Sequence, residues 1–167
     1  MENSGLVKCG ENRGDKRFDF IVVIPRNFRS VYDQMTCLGK LYDTFNPLEI
    51  SDISLCPDHP YCLYDIDPGL SELTSSRRTI AELNGEIAKR DRFGLTDVEI
   101  IALALHFPEL RQYQIFGTGS RTNKGAYPFI KTDRKNHSEM QTAGDNFSGF
   151  SPVNRTIIIP SCLSRSL

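Results

Sequence analysis

Between Asp97 and Phe107 the chain places apolar side chains on nearly every side of a helix. Val98, Ile101, Ala102 and Leu105 form one stripe at helical spacing, and Ile100, Leu103, Ala104 and Phe107 form a second beside it. A helix apolar nearly all round has to be covered on more than one side, so the rest of the chain must supply layers around it. Its limits are also written locally. Thr96 with Glu99 fits a capping box, which starts the helix near Asp97. Pro108 disfavours helical geometry at Phe107 and stops it there. Tyr113, Ile115 and Phe116 then read as a strand, and the Gly117-Thr118-Gly119 that follows allows positive φ or a close backbone approach.

Residues 18–24 (FDFIVVI) are a continuous apolar, β-branched run closed by Pro25, which predicts a central strand. Residues 27–40 predict a short helix capped by Ser30, with Val31, Met35 and Leu38 inward and Gly39 at its end. Residues 41–60 fit no single period for long, and one short strand is expected within them. Tyr61–Ile66 (YCLYDI) predicts a strand ended by the Asp67-Pro68-Gly69 turn. Thr79 with Glu82 forms another capping box, starting a helix to about Arg90 with Ile80, Leu83 and Ile87 inward. Residues 126–131 predict a strand antiparallel to 113–117 across a turn carrying Asn123-Lys124-Gly125. The expected fold is α/β or α+β, a single domain in which strands 18–24, 61–66, 113–117 and 126–131 make one mixed sheet packed against two or three helices. Residues 1–16 read as a flexible N-terminal arm, 17–130 as the core domain, and 131–167 as a polar C-terminal segment with an edge strand at 156–160.

At 167 residues the chain can bury a core without a metal or disulfide staple. A net charge of −1 with charges spread along the chain argues against nucleic acid as a partner. Five irregularly spaced cysteines with no Cys-x-x-Cys pair indicate reduced thiols. Neither a signal-like apolar segment nor a run of membrane-spanning length is present, so a soluble, cytoplasmic protein with no membrane partner is expected.

Several separated pieces share a pattern: FIVVIPR (20–26), LGK (38–40), PYCLYDIDPG (60–69), GLTDVEIIALALHFPEL (94–110) and IFGTGSR (115–121). In order and spacing they resemble a bacterial domain-of-unknown-function family common in actinobacteria, over residues 18–130. The resemblance brings no activity, ligand or catalytic residue with it. Members of that family have a helical region before the first strand and a tryptophan-rich C-terminal segment, whereas this chain has a short arm and no Trp, so 131–167 reads as new.

The turn from Gly117 to Arg121 offers backbone N–H groups, the Ser120 hydroxyl and the Arg121 guanidinium, suited to a phosphate or carboxylate, with Lys124 adding charge. Phosphate loops lead into a helix, however, and this turn leads into a strand, which favours a plain hairpin turn. Asp65 and Asp67, two apart at a strand end, would share a face and a divalent cation; an EF-hand is excluded by the glycine at the fifth position, and turn chemistry accounts for Asp67. Cys56, His59 and Cys62 would supply three zinc ligands without an evident fourth, or simply flank a proline turn. His106 sits where a helix C-terminus favours an imidazolium, and His137 clusters with Asp133 and Glu139 in a polar loop. No Gly-x-Ser-x-Gly elbow is present and no cofactor is implied. The leading expectation is a non-enzymatic binding or accessory module contacting a protein partner or a second copy of itself, through the second face of the 97–107 helix or the C-terminal segment. The alternative is a small enzyme or binding protein for an anionic small molecule, with Arg26, Asp65, Asp67, Ser120 and Arg121 gathered at strand ends.

Overall fold

The computed structural model describes residues 17–39, 50–53, 55–69, 78–147 and 157–166. The N-terminal arm expected at 1–16 lies outside them. Strand β1 (Phe18–Val23) leads through a turn to α1 (Val31–Thr36), where Ser30 Oγ accepts from Asp33 N at 3.0 Å and Val31, Met35 and Leu38 are buried as the pattern predicts. Next come β2 (Ile50–Asp52), β3 (Tyr61–Ile66), α2 (Ile80–Lys89), β4 (Phe93–Gly94) and α3 (Asp97–His106). A 3-10 turn over Pro108–Gln112 precedes β5 (Gln114–Phe116), β6 (Ser120–Thr122), β7 (Tyr127–Thr132) and β8 (Ser138–Ala143). Three short strands close the described chain: β9 (Ile157–Ile158), β10 (Ser161–Cys162) and β11 (Ser164–Ser166).

The fold is α+β, rich in strands, with three α-helices among the described residues. The expected single mixed sheet is instead divided. β1, β3 and β11 form one antiparallel sheet in that order, so the strand expected to be central, β1, lies at an edge with Val22 outward, and β8, β7, β5 and β9 form another, mixed because β9 runs parallel to β5. Two small ladders, β2 with β6 and β4 with β10, tie the pieces together. The hairpin of β5 and β7 forms as predicted, pairing Ile115 with Ile130 and Phe116 with Phe129.

Helix α3 lies between the two larger sheets. It packs on β1, β7 and α1, and Val98 to Ala104 are all buried. The second apolar face that suggested partner contact is therefore used inside the fold. Under the three-stranded sheet, Ile21, Val23, Tyr61 and Leu63 join the cluster that contains the α3 residues. From the other side Ile115, Ile130, Met140 and Ile158 join the same cluster. The far face of the four-stranded sheet carries Phe116, Tyr127, Phe129 and Ala143, which pack with Ile80 of α2. The order is sheet, helix, sheet, helix, and alternation along β5 and β7 feeds one face to each helix.

Residues 131–147 and 157–166 are integrated into these layers. Polar β8 pairs along its length with β7, burying Ser138, Met140 and Ala143, and the expected edge strand falls at Ile157–Ile158.

Candidate functional site

The first turn of α3 carries two acids, Asp97 and Glu99, both fully buried. A carboxylate without solvent must find donors within the fold, and each finds an arginine. Glu99 accepts from Arg165 Nε at 2.6 Å on Oε1 and from Arg165 NH2 at 2.8 Å on Oε2. Tyr61 Oη donates to Oε1 at 2.8 Å, and Thr96 N donates to Oε2 at 2.7 Å. That last bond is half of the predicted capping box. Thr96 Oγ1 faces the Glu99 amide in the box arrangement without closing a hydrogen bond of normal geometry. Arg165 arrives because its register partner on β3 is inward-facing Leu63, which turns the guanidinium beneath the sheet. NH2 also reaches Gly94 O at 3.0 Å.

The electrostatics follow from burial. Burial pushes the Cys56 thiol up to about 12, and the charge of nearby Glu99 adds to it. Burial and then Glu99 raise the Tyr61 hydroxyl above its ordinary value in the same way. For Arg165, burial works against the charge, but the hydrogen bonds and charge of Glu99 outweigh it and raise its pKa. This group is one fixed ion pair wrapped by neutral donors.

Asp97 takes the other arginine. Arg26 NH2 donates to Asp97 Oδ1 at 2.8 Å and to Asp52 Oδ1 at 2.7 Å, and NH1 donates to Ile50 O at 2.9 Å. Ser120 Oγ donates to Asp52 Oδ1 at 2.7 Å and accepts from Asp97 N at 3.1 Å. Burial pushes the Asp97 carboxyl up to about 6, Arg26 opposing and Asp52 adding.

The expected anion site is therefore brought together only in part. Arg26 and Ser120 come together only through a shared acceptor, Asp52 Oδ1. Arg121, next to Ser120 on β6, bonds Asp145 Oδ1 at 3.0 Å and lies over the Tyr127 ring. Lys124 sits exposed in the turn between β6 and β7. The glycines of 117–119 have an internal reason. A Cβ at Gly119 would stand 2.4 Å from Gly94 O, and Gly119 N donates to Leu95 O at 2.8 Å, so the close approach is made by the chain leading into α3.

The carboxylates of Asp65 and Asp67 take different partners. Asp65 adopts φ 50, which interrupts the two-residue alternation on which a shared face rested, and its Oδ1 pairs with Arg92 NH1 at 3.2 Å. Asp67 Oδ1 accepts from Gly69 N at 2.8 Å, as its turn chemistry predicts. Cys56, His59 and Cys62 likewise diverge: Cys56 Sγ lies 3.8 Å from Glu99 Oε1, His59 Nδ1 lies 2.8 Å from Asp58 Oδ1, and Cys62 stands on β3 opposite Val22. Among the described residues no group of three or more His, Cys, Asp or Glu side chains is placed to hold a metal. His106 Nδ1 meets Ala102 O at 2.8 Å within its own helix, and Asp133 closes the turn to His137 by accepting from Lys135 N and His137 N.

Asp52 and Arg165 carry no mark in the sequence, and Asp97 and Glu99 read only as a helix start. One signal was present: a helix apolar on all sides with two acids in its first turn has to bury those acids, and buried acids need cations. What the sequence does not mark is which arginines answer them.

The remaining feature is a surface. In the β1–β3–β11 sheet, Val22 stands opposite Cys62, which stands opposite Ser166; Phe20 stands opposite Tyr64, which stands opposite Ser164. Directly paired residues share a face, so this row is the outer one. Val22 is 46 % exposed, Tyr64 38 % and Ile24 41 %. Beyond the strand end Phe28 and Tyr32 are exposed as well. No helix of the described residues is long and apolar enough to cross a membrane. Comparison with known proteins finds no matching family model, no matching curated protein and no matching solved structure.

Proposed function

We propose that the protein is a non-enzymatic binding module that recognises a protein partner through the outer face of the β1–β3–β11 sheet. One observation carries the reading. A sheet packed on the core by one face ordinarily turns polar residues outward, and here Val22, Ile24, Cys62 and Tyr64 are turned outward instead. The partner would present apolar or aromatic side chains, because three nearby cations are neutralised internally: Arg26 by Asp52 and Asp97, Arg92 by Asp65, Arg165 by Glu99. A reducing compartment such as a bacterial cytoplasm suits the free thiols of Cys37, Cys56, Cys62 and Cys162. The family resemblance carries no activity, so it adds an expected bacterial setting and nothing about chemistry.

The second reading, a small enzyme or binding protein for an anionic small molecule, draws on Arg26 and Ser120 sharing one anionic acceptor, Asp52 Oδ1. An anion there would have to displace the Asp52 carboxylate from a guanidinium that is 32 % exposed.

The test compares wild type, the double variant Val22→Lys/Tyr64→Lys and Arg121→Ala by sedimentation and by affinity capture from the native cell. The two lysines replace outward side chains, so the thermal melt should be unchanged within about 0.5 kcal/mol. Self-association or a captured species present with wild type and Arg121→Ala, and lost with the double lysine variant, is expected. A species retained by the double variant would contradict the reading, and stabilisation by phosphorylated compounds in a melt would favour the alternative.

A further inference from the structure

Two carboxylates on separate elements lean on a single guanidinium nitrogen. Asp52 Oδ1 of β2 and Asp97 Oδ1 of α3 lie 2.7 and 2.8 Å from Arg26 NH2. With both acids ionised the three side chains carry one net negative charge. Asp97 has no solvent exposure, and its Oδ2 has no hydrogen-bond partner among the described residues. Where two acids share one cation, the acid cut off from water is the one that takes a proton first.

We propose that Asp97, Asp52 and Arg26 form a proton-operated clasp fastening β2 and the turn after β1 to the start of α3, tight when Asp97 Oδ2 is protonated and looser when it is ionised. The proton comes from hydronium in bulk water, an O–H bond forms at Oδ2, and no bond of the chain breaks. The cluster passes from one net negative charge to none. In the protonated form Asp52 has the guanidinium charge to itself. In the ionised form Asp97 repels Asp52 and competes for the same nitrogen.

The groups facing Asp97 come from each neighbouring element. Arg26 belongs to the turn after β1, Asp52 to β2, and the uncharged Ser120 hydroxyl to β6. Glu99 lies on α3 itself, balanced by Arg165 of β11 and bonded by the neutral Tyr61 hydroxyl, with the Cys56 thiol beside it. Burial pushes the Asp97 carboxyl to about 6 from its ordinary 3.8; Arg26 and the Val98 N–H oppose that shift, and Asp52 and Glu99 add to it. A folded value above the unfolded one means that the clasp is fully fastened below the unfolded value and loosens as pH rises through the folded value. Its window therefore runs from about pH 4 to about pH 6. The part released is β2, which holds β6 through pairs from Ile50↔Thr122 to Asp52↔Ser120 and ends with Ile53 N donating to Gly119 O at 2.8 Å. The clasp does not depend on the partner reading.

The full chain serves for the test. The Asp97 carboxyl carbon is titrated by NMR, and exchange of the Ile53 amide is followed from pH 7.5 to 4.5 with intrinsic exchange rates divided out. The expected results are a midpoint near 6 for Asp97 and Ile53 protection that increases by up to about thirtyfold on acidification over that range. Asp97→Asn should remove that dependence, and Asp52→Asn should lower the Asp97 midpoint. If Asp97→Asn does not fold, the wild-type titration and Asp52→Asn decide. An Asp97 midpoint near 4, or Ile53 protection that varies with pH equally in Asp97→Asn, would overturn the clasp.

Discussion

Glu99 shows how a residue's local reading can be correct and still incomplete. Its spacing from Thr96 marks a helix start, and its carboxylate does accept from Thr96 N at 2.7 Å. The same carboxylate also accepts from Nε and one terminal nitrogen of Arg165, sixty-six positions away. No local pattern encodes that distance. Removing one partner of such a buried pair leaves an uncompensated charge, so Arg165→Met is expected to cost about 3–5 kcal/mol in urea denaturation. Adding Glu99→Leu to it should return part of the loss, because the lone charge is then gone. A second effect at this scale concerns pH. Asp97, raised to about 6 from 3.8, favours the fold below its unfolded value and withdraws about 3 kcal/mol of stability as pH rises through 6. Stability curves of wild type and Asp97→Asn should accordingly diverge between pH 4 and pH 6 and run parallel above it.

Elements were most legible where their ends are chemical. Ser30 caps α1, and Thr79 with Glu82 closes both halves of a capping box at α2, Thr79 N donating to Glu82 Oε2 at 2.7 Å. Thr79→Ala should cost about 1 kcal/mol in a thermal melt. Elements were least legible where composition hides burial. β8 reads SEMQTA, polar throughout but for Met140 and its closing Ala143, yet Ser138 is buried because its hydroxyl meets Thr132 Oγ1 at 2.8 Å. Glycines separate in the same physical way. Gly85 in α2 has nothing within 4 Å of a added Cβ, so Gly85→Ala should stabilise by up to about 1 kcal/mol. Gly119→Ala would press a methyl to 2.4 Å from Gly94 O and should destabilise clearly, because its nearest atoms, in Gly94 and Leu95, are backbone. Denaturant midpoints of the two variants should move in opposite directions.

At the scale of the whole molecule, the layers around α3 were foreseen as a need and not as an arrangement. An all-round apolar helix demands cover, which β1, β7 and α1 provide. Period-two patterns mark strands without saying which strands pair, so one expected sheet became two, with β11 completing the first and β8 and β9 the second. That division gives the three-stranded sheet an outer face of its own. The candidate anion site lost coherence for a related reason: Ser120 and Arg121 are neighbours on β6, and alternation sends Ser120 inward to Asp52 and Arg121 to Asp145. The charges are taken up in internal pairs, and Val22 of β1 and Tyr64 of β3 are left outward. The most direct measurement places a photo-crosslinking side chain at position 22 in one sample and at position 121 in another, in the native cell. Recognition through the sheet face predicts a discrete crosslinked protein species from position 22 and none from position 121. Crosslinks from position 121 with none from position 22 would contradict it.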